Sequence, residues 1–104
     1  EAFIPKVSAL ARASDDNVQT GALMALAEIG RAEHASVFEE ILLDTRQRNS
    51  ARILAARGME KTGTEVSLTL LGALIQTESA RPDKSKTVIT ELEKSKAALR
   101  KRLR

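Results

Sequence analysis

Apolar side chains recur at three- and four-residue steps along most of this chain, the period of an amphipathic helix. The pattern predicts six helices. Ile4, Val7, Leu10 and Ala11 mark the first, over 2–13, with Pro5 in its opening turn, where a missing N–H costs little. Ser14-Asp15-Asp16-Asn17 supplies a turn and an N-cap. The second helix runs over 17–29, with Val18, Ala22, Ala25, Leu26 and Ile29 on one stripe and Gly30 as its stop. The third covers 33–44, where Val37, Phe38, Ile41 and Leu42 are apolar and Ser36 and Glu39 have capping-box spacing.

Asp44-Thr45-Arg46-Gln47 reads as a turn, and a fourth helix follows over 48–61, ending near Gly63. Thr62 and Glu65 form a second capping-box spacing ahead of a fifth helix over 65–79. Its large apolar side chains, from Val66 to Ile75, cover more than half the circumference, so it is expected to be the most buried helix. Arg81-Pro82-Asp83 ends it. A sixth helix over 83–103 carries Ile89, Leu92, Leu99 and Leu103 on one face.

These helices pair into three hairpins, about 2–30, 33–63 and 65–103, and the hairpins repeat. Val18–Gly30 aligns with Ala51–Gly63, so that Ala22 meets Ala55, Ala25 meets Gly58, Leu26 meets Met59 and Gly30 meets Gly63. One more step of the same length brings Val88 and Leu92 into the Ala55 and Met59 places. One hairpin cannot bury its apolar face alone, whereas stacked neighbours share a continuous core. Gly21, Gly58 and Gly72 each cost about 1 kcal/mol against Ala inside a helix. Close helix packing is one reason to tolerate them, and drift in a permissive position is another. The expected fold is all-α, three antiparallel hairpins stacked as a short right-handed α-solenoid or a compact bundle.

Asp16 to Gly30 resembles a HEAT-like helical repeat of the short, bilin-lyase type. That pattern runs Asp, a spacer, Val-Arg, two residues, Ala-Ala, one residue, Ala-Leu, then Ile-Gly. Val18, Ala22, Ala25, Leu26, Ile29 and Gly30 fit it, while Gln19 stands in place of Arg and Leu23 in place of Ala. In the second copy Arg52, Ala55, Ala56 and Gly63 fit, and Ala51, Met59 and Thr62 depart. The resemblance implies a binding scaffold in which the second helix of each hairpin lines the inner surface. Gln19, Met24, Arg57 and Lys61 would then be exposed there.

Composition narrows the chemistry. The 104 residues contain no Cys, Trp or Tyr, a single histidine (His34), and only Phe3 and Phe38 as aromatics. A disulfide framework, a thiolate zinc site, a cysteine nucleophile and a multi-histidine metal site are excluded within this chain. No apolar run approaches the roughly 18 residues that span a bilayer, and no signal peptide is visible at the start. No membrane association and no cofactor are expected, and a cytoplasmic location is the default. The chain starts at Glu1, which allows it to be a fragment of a longer protein.

No motif in the chain carries a catalyst. Gly58-Met59-Glu60-Lys61-Thr62-Gly63 has phosphate-loop glycine spacing, but Thr64-Glu65 follow it where Lys and Ser/Thr are needed, and no strand precedes it. Asp15-Asp16 reads as a cap, Glu39-Glu40 as a solvated face and His34 as a surface residue. An enzyme, lyase-like by analogy, would have few nucleophiles to offer, and a non-enzymatic role is expected.

Charge supplies the strongest functional signal. Residues 1–80 hold 8 basic and 11 acidic side chains, residues 81–104 hold 9 basic and 3 acidic. The last helix, about 31 Å long against about 22 Å for its neighbour, should overhang with Arg100, Lys101, Arg102 and Arg104 at its end. That end could bind phosphate backbones, pack its apolar face on another chain, or cap the stack. The expected function is a protein–protein interaction module whose Arg52, Arg57, Lys61, Lys94, Arg100, Lys101 and Arg102 contact an acidic partner. Weakly sequence-specific nucleic-acid binding through the same cations is the first alternative. A structural segment of a longer repeat array is the second. The oligomeric state is not legible in the sequence.

Overall fold

The computed structural model describes residues 15–44 and 46–104. The predicted first helix, over 2–13, lies outside the described residues. The predicted second helix is α1 (Asp16–Ile29), and a 3₁₀ turn at Ala32–His34 leads into α2 (Ala35–Leu43). Then come α3 (Asn49–Thr62), α4 (Glu65–Ala80) and α5 (Lys86–Leu103), with no strand among the described residues.

The ends of these helices follow local chemistry. Asp15 caps α1, its Oδ1 accepting the Val18 N–H at 3.0 Å. Gly30 closes it in the left-handed region (φ 65), donating its N–H to Leu26 O, a conformation that favours glycine. Ser85 caps α5 by accepting the Val88 N–H. The capping box before α4 is shifted from its expected place. Thr64, not Thr62, is the N-cap, and its N–H donates to Ser67 Oγ at 2.9 Å. Thr62 is the last residue of α3, with its hydroxyl donating to Gly58 O. Ser36 lies inside α2 and is exposed, so its spacing to Glu39 caps nothing.

The helices form two layers within a slab measuring 39 × 33 × 16 Å. One layer is α1, α3, α5, with α3 packed between the other two; the second is α2 and α4, which pack on α3 and α5 respectively. Short connections make α2–α3 and α4–α5 hairpins, and α1 packs on α3. The expected stack of helical hairpins is the observed fold. Between the layers lies one continuous core, from Ala22, Leu23 and Leu26 through Phe38, Ile41, Leu42, Ala55 and Met59 to Leu71, Leu92 and Leu99. The repeat is visible in it: Ala22, Ala55 and Val88 are all buried, as are Leu26, Met59 and Leu92.

Three expectations about burial are corrected. The centre of the fold is α3, not the helix over 65–80. The stripe that α4 buries is narrow, consisting of Ser67, Leu71, Leu74 and Glu78, and Val66 is 75% exposed. An apolar circumference is no guide to burial when only one side of a helix has neighbours. The buried stripe of α1 is Gln19, Ala22, Leu23 and Leu26, rotated away from the expected one, so that Val18 and Ile29 stay exposed. His34 is no surface residue but a buried one in the 3₁₀ turn, and neither ring nitrogen has a hydrogen-bond partner among the described residues.

The basic end of the last helix docks instead of overhanging. Helix α5 starts at Lys86, three residues later than expected, which brings it to about 27 Å against about 24 Å for α4. Leu92 and Leu99 are fully buried within the chain and Leu103 packs against the core, so this face is not free to pair with another chain.

Candidate functional site

The 33-residue register of the repeat sets out the exposed face of the α1–α3–α5 layer as a grid. Met24, Arg57 and Thr90 are equivalent positions, and all three are exposed. So are Glu28, Lys61 and Lys94. Every one of these side chains points away from the core because its repeat mates at the buried positions point toward it. The result is an open face, on the side of the layer opposite α2 and α4, whose charge changes from α1 to α5.

The α1 side carries Met24, 57% exposed, and Glu28. On α3, Lys61 lays its methylene stem across Gly30, where an added Cβ would stand 3.8 Å from Lys61 Cβ and Cδ. Its charged end is left to solvent, the usual behaviour of a long cationic side chain on apolar surface. Arg57 leans toward α5. Its Nε donates to Glu91 Oε1 at 3.2 Å, with Arg57 57% exposed and Glu91 8% exposed at the side-chain level. On α5, Lys86, Thr87, Thr90, Glu91 and Lys94 line a shallow, open hollow of about 300 Å³. Lys101 lies two helical turns beyond Lys94 on the same side of α5. Lys61, Lys94, Arg100 and Lys101 are exposed and have no ion-pair partner among the described residues.

Two of the cations expected to meet a partner are engaged inside the protein. Arg52 is buried, 2% exposed, and donates to Leu42 O at 2.8 Å while pairing with Glu78 at 2.5 Å. It ties α3 to the last turn of α2 and the last turn of α4, and its burial keeps it from an outside ligand. Burial pushes the Glu78 carboxyl up, but the hydrogen bond and charge of Arg52, joined by those of Arg81, outweigh it and hold Glu78 below the ordinary carboxylate range. Arg102 turns back from α5 to the end of α3. Its Nε donates to Glu60 O at 2.7 Å and its Nη2 to Gly63 O. These carbonyls sit at the C-terminal end of α3, where backbone acceptors lack helical partners and a cation is favoured.

Gln19, expected on the open face, is also buried. Its amide donates to Gln47 Oε1 at 2.9 Å and accepts from Arg48 at 2.6 Å, pinning α1 to the connection before α3. Gln19 and Arg52 are equivalent in the repeat, and both serve as buried polar ties between neighbouring hairpins. The sequence held a signal for this: both stand at the arginine of the Val-Arg pair in the repeat pattern. Beyond these ties, Asp44 holds the turn before α3. The Arg46 side chain and then the Arg46 N–H bond its carboxylate and keep it below the ordinary range.

Among the described residues, no group of three His, Asp or Glu side chains could hold a metal ion. The glycine-spaced segment 58–63 is the end of α3, with Gly58 and Gly63 both buried. Asp15 is a cap, as expected, and Glu40 lies exposed on α2. No described helix is long and apolar enough to cross a membrane.

Comparison with known proteins agrees with this architecture. The family model for HEAT repeats matches residues 4–90. No curated protein and no solved structure matches the chain. HEAT repeats generally mediate protein–protein interaction or scaffolding, and the family is typically non-enzymatic. A match over most of the sequence, a 33-residue register and stacked helical hairpins with a shared core lead to one conclusion: the chain belongs to the HEAT repeat family.

Proposed function

We propose that this chain is a non-enzymatic interaction module that holds an acidic segment of a protein partner on the open face of α1, α3 and α5. The observation that carries this reading is the set of exposed cations on that face, Lys61, Lys94 and Lys101, without acidic partners among the described residues. Three unpaired ammonium groups on a fixed surface attract carboxylates, speed association and disfavour cationic ligands. Arg57 adds a guanidinium that Glu91 only partly satisfies. Arg100 lies on α5 as well and extends the field beyond the face, whereas Arg52 and Arg102 act through the fold and not through contact.

Nucleic-acid binding through the same cations is the second reading, favoured by the excess of basic residues in 81–104. It predicts affinity that falls steeply with salt and ignores base sequence. No Trp or Tyr exists for base stacking, and Phe38 is buried.

The test is binding of a fluorescein-labelled poly-glutamate peptide and of a labelled single-stranded DNA, followed by anisotropy at low and physiological salt. The variants are Lys61→Glu with Lys94→Glu, and separately Arg100→Ser with Arg104→Ser. The proposal expects the peptide to bind and the open-face pair to abolish binding, with the tail pair losing much less. Binding of DNA without binding of peptide overturns it.

A further inference from the structure

We infer that the segment held on the open face carries one apolar side chain and, about five residues away, a cluster of carboxylates. This rests on the reading above and adds the order in which the partner's chemistry must be presented. The open face is divided, not uniformly basic. Met24 is the most exposed apolar side chain on it, and half-buried Leu54 on the neighbouring α3 lies one turn before Arg57. Glu28, one turn from Met24, makes the α1 side unfavourable for a carboxylate. The α5 side is the reverse, with Lys94 and Lys101 exposed.

The spacing follows from helix packing. Neighbouring helices lie about 8–10 Å apart, so crossing from α1 to α5 spans roughly 16–20 Å. An extended chain covers about 3.3–3.6 Å per residue, which places the carboxylates about five residues from the apolar anchor. Arg57 stands midway. Its guanidinium is shared with Glu91, whose carboxylate already occupies the place that a partner carboxylate would take. The occupant is therefore an extended acidic peptide running across the helices, with its apolar residue over Met24 and Leu54.

The test uses the full chain and three labelled peptides of about twelve residues, long enough to cross the face. The first has one Leu five residues from a run of Glu. The second has Ser in place of that Leu. The third has the Leu moved next to the run. The first peptide is expected to bind about tenfold more tightly than either of the others, the effect of partly burying one Leu side chain. In Met24→Ser, a substitution at an exposed position, this advantage should disappear. In Glu91→Gln all three peptides should bind several-fold more tightly. Equal affinities for the three peptides on the unaltered protein overturn the apolar anchor while leaving the acidic-partner reading in place. An advantage that survives Met24→Ser overturns the placement of the anchor. Failure of every peptide to bind, with or without binding of a labelled single-stranded DNA, overturns both.

Discussion

The Phe38 ring of α2 occupies the space where Gly58 of α3 lacks a side chain. A Cβ at position 58 would meet Phe38 Cζ, Cε1 and Cε2, the last at 2.7 Å. Both residues are buried, and Phe38 has no exposed surface. The close approach of the two helices in this hairpin therefore depends on a glycine that a helix would otherwise disfavour. Gly58→Ala should lower stability by about 1–3 kcal/mol through overpacking, even though alanine adds up to about 1 kcal/mol of helix propensity. Gly21 is the control. Among the described residues nothing lies within 4 Å of a Cβ there, so Gly21→Ala should raise stability by up to about 1 kcal/mol. Urea titrations of the two variants should shift in opposite directions.

The Arg52–Glu78 pair should be the costliest single polar contact to break. Both side chains are almost wholly buried; removing Glu78 leaves Arg52 charged without an acid, whereas removing Arg52 leaves Glu78 with Arg81 at its carboxylate. Glu78→Ala should cost about 3–5 kcal/mol, while Arg52→Met with Glu78→Leu should cost much less, because no orphan buried charge remains. The same pair sets an acid dependence. The Glu78 carboxyl is held below its ordinary value in the folded chain. Its contribution is therefore complete above the unfolded carboxylate pKa of about 4.3 and is lost as pH falls below that value toward the folded one. Between pH 7 and pH 3 the native chain should lose more stability than Glu78→Gln, measured by urea midpoint.

Much of this architecture is written in local pattern, and the exceptions share a cause. Val37, Phe38, Ile41 and Leu42 announce the buried face of α2, and Gly30 and Gly63 announce the ends of α1 and α3. What the pattern misplaces are polar residues buried by distant partners. Gln19 looks like solvent-facing surface until Gln47 and Arg48 satisfy it. Arg52 looks like a free cation until Glu78, in the next hairpin, neutralises it. Arg102 belongs to a basic run in sequence and to the end of α3 in space. On the candidate site, Arg57, Lys61, Lys94, Arg100 and Lys101 are exposed, and among the described residues only Glu91 forms an ion pair with one of them, Arg57. The apolar contribution of Met24 emerges only when the repeat register is combined with exposure.

Arg102 should behave differently from its basic neighbours in a stability measurement. Arg102→Ala removes two hydrogen bonds to the end of α3, for a loss of about 1 kcal/mol, or a fall in Tm of about 4–8 °C. Arg100→Ala and Arg104→Ala should leave Tm nearly unchanged, since both side chains are exposed and make no ion pair among the described residues. Thermal unfolding of the three single variants by circular dichroism separates them.

His34 is a buried side chain with no hydrogen-bond partner among the described residues, held in the 3₁₀ turn between α1 and α2. Leaving such a group unsatisfied costs about 1–3 kcal/mol relative to an apolar group that fills the same space. His34→Met, close in volume and flexible enough to adapt, should raise stability by about 1 kcal/mol at neutral pH. A urea midpoint that falls instead would mean that the imidazole is satisfied in solution.

The claim that an acidic segment lies on the open face of α1, α3 and α5 is tested most directly by mapping where it binds. Isotope-labelled protein would be titrated with the Leu-and-Glu peptide, and backbone amide shifts followed by NMR. The account predicts that the largest changes fall on Met24, Arg57, Lys61, Thr90 and Lys94, with α2 and α4 unaffected. Changes confined to residues 100–104, or centred on the exposed positions of α2 and α4, would contradict it.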